Sequence, residues 1–264
     1  MKINKYIKLA LHFLKLSWMR EAEYRTNFMI WCLVDIGWTI IDIIFFVTLI
    51  RNIGAIGNWN LGESLIVIGV FRLLVIPVWS WMFQSFSVIP KNIAEGRLDI
   101  ILVKPTNSQF LVSVQKFSFS TIPSIVGGTA FIIFGFKVLG HFPTPVNSLI
   151  FLHLLLLSIV LMYGVYFSTI ASSLFFDRLG NIHHVFTSLF DASRFPKEIY
   201  GHFLRHLFTL IVPIALMTTV PSEALFGKLE LKWIIWFHII TLLFFLLGKT
   251  IWNQGLKKYS SASS

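Results

Sequence analysis

Five stretches of this chain are long and apolar enough to cross a lipid bilayer: 27–50, 64–89, 109–138, 148–175 and 231–254. A helix needs about 20 apolar residues to span the hydrocarbon core. Inside lipid, each backbone N–H and C=O must find its partner within the segment or in neighbouring protein, so runs of this length are expected to be helices. Composition supports a membrane solvent: the chain is 56% hydrophobic and only 13% charged, whereas a soluble domain carries roughly 25% charged residues. The expected fold class is all-α, a polytopic membrane protein in which 1–264 form a single transmembrane domain. The net charge of +10 is not gathered into a phosphate-tracking patch, so nucleic acid is not an expected partner. The single cysteine, Cys32, lies inside an apolar run and cannot form an internal disulfide.

The first 26 residues read differently. Ile3, Ile7, Ala10, Leu14 and Trp18 fall on one side of a helical wheel, with Lys5, Lys8, His12 and Lys15 opposite. That pattern predicts a basic amphipathic helix lying in the membrane interface. No A-x-A-like cleavage site follows, which argues against a signal peptide.

Charge sets the orientation. Six Lys/Arg precede residue 27 and Lys257 and Lys258 close the last apolar run, so both termini are expected in the cytoplasm. The number of crossings is then even, and five clear spans need a sixth from 180–226. We expect that crossing near 180–196, followed by a segment, 197–226, that dips into the outer leaflet and returns. The rival reading takes 203–221, which Pro213 interrupts, as the crossing. On the first reading the cytoplasmic segments also hold Lys91, Arg97, Lys104 and Arg178, while the outer ones hold Arg51, Lys197, Arg205 and Lys228.

This orientation puts a polar insert, 91–107 (KNIAEGRLDIILVKPTN), in the cytoplasm between the second and third spans. Pro90 and Pro105 bracket it, and Leu98, Ile101 and Leu102 have helical spacing beside Glu95, Arg97 and Asp99. A short helix of this mixture either docks its apolar side into a groove of a soluble partner or rests that side on lipid. Within the spans, Asp35 and Asp42 are seven apart and share a face of the first, and Arg72 lies in the second. Asp42 and Arg72 each sit about 12 Å inside the outer ends of their spans at 1.5 Å per residue. An ion pair between them is expected, either as packing or as part of a polar substrate path.

The segment 93–110 resembles the I-x-x-G-x-L-D-x-x-L-x-K-P pattern of bacterial ATP-binding cassette (ABC) transporter permeases of the type-two exporter class, in particular a branch of small six-span permeases. Ile93, Gly96, Leu98, Asp99, Leu102, Lys104 and Pro105 carry the match, and Ile101 lies within it. The stretch 193–227 is similar to that branch between its last two spans, through Pro196, Tyr200, Pro213, Pro221 and Gly227. The resemblance implies a bacterial cell-membrane permease without an ATPase of its own, with ATP and Mg on a separate cytoplasmic ATP-binding cassette subunit. It implies that 91–107 is a coupling helix contacting that subunit through Ile93, Glu95, Arg97, Leu98, Asp99, Ile101, Leu102 and Lys104. It implies too that 1–26 is a connecting helix, that 197–226 is an outer re-entrant element, and that two permeases pair around the substrate path.

Other motifs carry less. Gly248-Lys249-Thr250 ends like a nucleotide-binding loop, but Leu243 stands where the first glycine is required and the surroundings are a span. Glu198, His202 and His206 have i, i+4, i+8 spacing that could bind zinc, although a polar face of an outer helix is the plainer reading. Gly127-Gly128 and Gly54/Gly57 are small enough for close helix approach. An ion-gradient-driven secondary transporter or channel, with Asp35, Asp42 and Arg72 as a relay, is the alternative function. No inverted repeat supports it. A lipid-modifying enzyme using the histidines lacks a recognisable nucleophile or metal set.

Overall fold

The computed structural model describes residues 2–53, 59–176 and 181–259, which are built from helices. In chain order these are α1 (Lys2–Glu23), α2 (Arg25–Ile53), α3 (Leu61–Ile76), α4 (Phe83–Phe86), α5 (Ile89–Ala94), α6 (Asp99–Leu102), α7 (Ser108–Ser113), α8 (Pro123–Leu139), α9 (Pro145–Ala171), α10 (His183–Ala192), α11 (His202–His206), α12 (Leu216–Phe226) and α13 (Leu231–Lys258). A π-helical turn, Pro77–Met82, joins α3 to α4, and a second, Leu207–Ile211, follows α11. The expected Gly54 and Gly57 contact lies outside the described residues.

Among the described residues four helical stretches are long and apolar enough to cross a membrane alone: Arg25–Leu49, Leu61–Ala94, Pro145–Phe175 and Leu231–Lys258. Two expected spans are shorter than the hydropathy suggests. The run 109–138 is not one helix: α7 ends at Ser113, and α8 restarts at Pro123 and has 17 residues. Between them the chain makes only short turns of its own and bonds largely to other elements. Lys116 N donates to Ser85 Oγ (3.2 Å), Ser118 N to Ser80 O (2.7 Å) and Phe119 N to Glu21 Oε2 (3.0 Å). Pro123 has no N–H to extend a helix arriving from 122 and is at home in a first turn. The region expected as the crossing at 180–196 holds only the ten-residue α10. The stretch 203–221 is bent by 90° between α11 with its π turn and α12, at the break that contains Pro213.

The centre of the fold is an α3–α8 seam. A Cβ placed on Gly69 would stand 2.7 Å from Gly128 O, one on Gly128 2.8 Å from Gly69 O, and one on Gly135 2.7 Å from Gly62 O. Glycines seven residues apart on each helix therefore let two antiparallel backbones touch, where dispersion replaces a hydrophobic force that lipid cannot supply. A parallel pair stands beside it. His153 of α9 meets His238 of α13 (Nε2···Nε2 2.9 Å), Gly164 lies under the Phe244–Phe245 backbone, and Leu174 packs on Gly255. Gly248, the glycine of the nucleotide-loop look-alike, is helical in α13 and faces Gly164 O at 3.4 Å from a built Cβ.

The second half of the bent element, α12, is buried in protein, whereas α11 is largely exposed and its π turn only partly covered. Residues Leu216 to Leu225 of α12 are all buried, and Met217 O accepts from Ser158 of α9 at 2.8 Å. Non-helical backbone at membrane depth persists under this condition. The C-terminal end of α12 is pinned by charge: Lys197 Nζ lies 2.8 Å from Glu223 Oε1 and 4.4 Å from the Trp233 ring centre, and Lys228 pairs with Glu63.

The α1 helix forms as expected, but its faces are divided differently. Leu9 and Phe13 pack on the core, Ser17 is buried and accepts from Phe117 N (3.1 Å), whereas Ile7, Leu11 and Trp18 point outward.

The seam makes a test. Gly69→Ala pushes a methyl into the Gly128 carbonyl and should destabilise the protein by about 1–3 kcal/mol. Gly37→Ala on α2, where nothing lies within 4 Å of a new Cβ, should be neutral or stabilise by up to about 1 kcal/mol. Thermal unfolding of both variants in detergent checks the contrast.

Candidate functional site

On α2, Asp35, Thr39, Asp42 and Phe46 occupy one helical face and are buried, while Leu33, Trp38, Ile40 and Ile44 on the remaining faces are exposed. The buried face meets Arg72 of α3, which is 3% exposed. Arg72 Nη1 lies 3.6 Å from Asp42 Oδ2 and Nη2 lies 3.9 Å from Asp35 Oδ1. The same Nη2 donates to Asp35 O at 3.0 Å and to Thr39 Oγ1. Asp35 is held from a third helix, since Ser124 Oγ of α8 contacts both its carboxylate oxygens, at 2.8 and 2.9 Å.

Four participants in this network do not stand out in the sequence: Thr39, Ser124, Asp191 and Arg194. Arg194, just after α10, reaches Asp42 Oδ1 (3.5 Å) and Asp191 Oδ1 (3.0 Å), and its guanidinium lies 5.0 Å from the Phe71 ring centre. Of these contacts, only the i, i+3 spacing of Asp191 and Arg194 leaves a trace in the sequence. The network joins three carboxylates (Asp35, Asp42, Asp191) to two guanidiniums (Arg72, Arg194). Such a set ties α2 to α3, α8 and α10 at a depth where separated charges are costly.

The second site is the insert at 91–107. It folds as α5 and the one-turn α6, separated by Gly96, whose φ of +68° is a left-handed conformation that glycine adopts without a Cβ clash. Leu98 N donates to Asn92 O (3.1 Å), closing the turn. Leu98 is fully buried and Ile101 is 8% exposed, and both belong to the main core, with Ile93 and Leu102 packed against it. Of the expected apolar side, Leu98 and Ile101 are thus turned into their own chain, and Leu102 is partly covered. The apolar groups that point outward are Ile100 (61% exposed) and Val103 (81%), which helical spacing does not single out. A one-turn helix apolar on both sides does not declare which side is inner.

Around Ile100 and Val103 the surface is charged. Glu95 pairs with Lys91 (3.9 Å) and with Arg97, and Lys104 is exposed. The insert is also wired to distant helices. Lys5 of α1 donates to Pro105 O (3.2 Å), Trp252 Nε1 of α13 to Ser108 Oγ (3.1 Å), and Gln109 Nε2 to Tyr163 OH of α9 (3.2 Å). Burial and the Asp99 carboxylate beside it push the Tyr259 phenol above its ordinary pKa, so the end of α13 meets the insert as a neutral hydroxyl.

The i, i+4, i+8 metal stripe does not assemble. Glu198 sits in the 3-10 turn Lys197–Ile199, Tyr200 is extended, and α11 starts at His202, so one helix does not carry all three. Glu198 Oε2 accepts from Trp59 Nε1 at 2.8 Å, and the His202 and His206 rings stack 4.3 Å apart.

A helical membrane domain with a glycine-packed centre, a charge network at membrane depth and a stiff charged insert between its apolar helices is built as a transport permease. The family of ABC-2 transporter proteins matches residues 36–263, and the chain belongs to that family. Neither a curated protein nor a solved structure matches the chain.

Arg72→Met should leave Asp35 and Asp42 without their shared counter-ion and cost about 3–5 kcal/mol. Adding Asp42→Asn to Arg72→Met should recover part of that loss. Thermal unfolding in detergent, run as a double-mutant cycle, reads the coupling.

Proposed function

We propose that this chain is the membrane-spanning subunit of an ABC exporter, moving its cargo with ATP hydrolysed, with Mg, on a separate cytoplasmic subunit. It works as a pair with a second copy or a related permease. The observation that carries this reading is the exposed Ile100–Val103 pair on an insert whose other side is anchored in the core. A motor can only transmit force through a handle that is apolar enough to be gripped and rigid enough not to fold away. Glu95, Arg97 and Lys104 flank the pair and supply register to the contact. Ile93, Leu98, Ile101 and Leu102 connect it to the helices, and Asp99 borders the end of α13. Displacement of the insert then reaches α1, α9 and α13 through Pro105, Gln109 and Ser108.

The topology behind this reading has six crossings and both termini in the cytoplasm of a bacterial cell membrane. The support for a crossing at α10 is a series of contacts, in chain order, with α4, α3, α2 and the residue Trp59 just ahead of α3. His183 lies 5.6 Å from Phe83, Phe190 stacks on Phe71 at 5.0 Å, Phe195 approaches Phe46 at 5.4 Å, and Glu198 meets Trp59. From Phe83 back to Trp59 is 24 residues of chain, so this short helix with the turns that follow it covers most of a bilayer core, about 30 Å. The re-entrant element 197–226 then dips and returns beside α9 and α13, and α1 lies in the inner interface as the connecting helix.

Ile100→Glu combined with Val103→Glu should abolish co-purification with the ATP-binding subunit while leaving thermal stability unchanged, because neither side chain is packed in this chain. A cysteine at Lys91 should be labelled by an impermeant thiol reagent only from the cytoplasmic side. Retained co-purification, or labelling from outside, would overturn the coupling role.

A further inference from the structure

We propose that α10 turns a polar stripe, His184, Ser188 and Asp191, toward a water-filled path, and that this path takes a cationic cargo group. The inference rests on the permease reading and goes beyond it by naming the lining and the charge of what passes.

The stripe has i, i+4, i+7 spacing, so its three side chains share one face. All three residues are exposed, whereas Phe186, Thr187 and Phe190 on the opposite side are buried. The stripe also lies at membrane depth. The helix begins beside Phe83 and ends beside Phe71, both within the apolar stretch Leu61–Ala94. A histidine, a serine and an aspartate on a lipid-facing surface at that depth would be costly, and intramembrane ionisable groups face protein or a water-filled cavity instead. Elsewhere the exposed faces of the long spans are largely apolar, as with Leu243 and Leu246 of α13 and Leu152 and Leu156 of α9, and the exposed His153 and His238 satisfy each other at 2.9 Å.

The sign of the cargo follows from the ion network. Its three carboxylates exceed its two guanidiniums by one negative charge. Asp35 and Asp42 have almost no exposed surface, and the Asp191 side chain is 54% exposed. The excess charge therefore meets the path at Asp191, where apolar walls focus its field into the water and draw an amine or other cation. Arg194, which faces Asp191 on one side and Asp42 on the other, is three-quarters covered and turned into the protein.

The test replaces Cys32 by Ala and introduces Ser188→Cys, one turn from Asp191, with Leu243→Cys as the lipid-facing control. The full-length permease in membranes is treated with small cationic and anionic methanethiosulfonate reagents, and rates are normalised to a free thiol. Ser188→Cys should react at least tenfold faster than Leu243→Cys. The normalised rate should favour the cationic reagent by on the order of tenfold, and Asp191→Asn should erase that preference. Equal rates at the two cysteines, or a disulfide between two copies at Ser188→Cys without reagent access, would show lipid or a dry contact there and overturn the proposal. Reaction without charge preference would overturn the cationic assignment. None of these outcomes depends on the ATP-binding subunit, so co-purification through Ile100 and Val103 separates failure here from failure of the permease reading.

Discussion

A guanidinium buried among apolar helices needs several oxygens around it, and Arg72 collects them from its surroundings. Its donors reach the Asp35 and Asp42 carboxylates, the Asp35 carbonyl and the Thr39 hydroxyl. Because Asp35 is in turn held by Ser124 and Asp42 by Arg194, one charge organises α2, α3, α8 and the end of α10. A lipid solvent gives helices no hydrophobic reason to associate, so a fold of this kind relies on such polar contacts and on close packing. The glycine seam between α3 and α8 supplies the packing, and the network decides which face of the otherwise apolar α2 turns inward.

The insert at 91–107 shows how a surface and an anchor are made from one apolar cluster. Leu98 and Ile101 are committed to the interior, Ile100 and Val103 remain outside, and Gly96 provides the turn that lets α5 and α6 fold back. A flexible loop would absorb a push, whereas this one has its inner side chains in the main core and hydrogen bonds to helices far away in sequence. In the coupling role proposed for it, rigidity and an exposed apolar contact would therefore come from different residues.

The region around the bent element is stabilised by another principle. The bent element around Pro213 has a break in its helix, which lipid would punish, and it survives because α12 is enclosed by protein and its ends are tied by Lys197–Glu223 and Lys228–Glu63. The end of α10 adjoins this element, where the Tyr200 and Thr218 hydroxyls donate to Ala192 O and Ser193 O.

Length and apolarity of the runs determine that this chain is a helical membrane protein, and Asp35, Asp42 and Arg72 are conspicuous because charge is rare in such runs. The motif at 93–105 points to the transporter family by its resemblance to that family's pattern. Hydropathy does not reveal that 109–138 divides at Pro123, because a window average ignores the Ser, Thr and Glu21 bonds that replace the helix there. Nor does it find Ser124, Arg194 or the outward Ile100 and Val103, since each depends on a partner tens of residues away. Local composition thus decides what can live in lipid, and tertiary structure alone decides which side of each helix faces protein, because that choice is made by long-range contacts between charges, glycines and buried side chains.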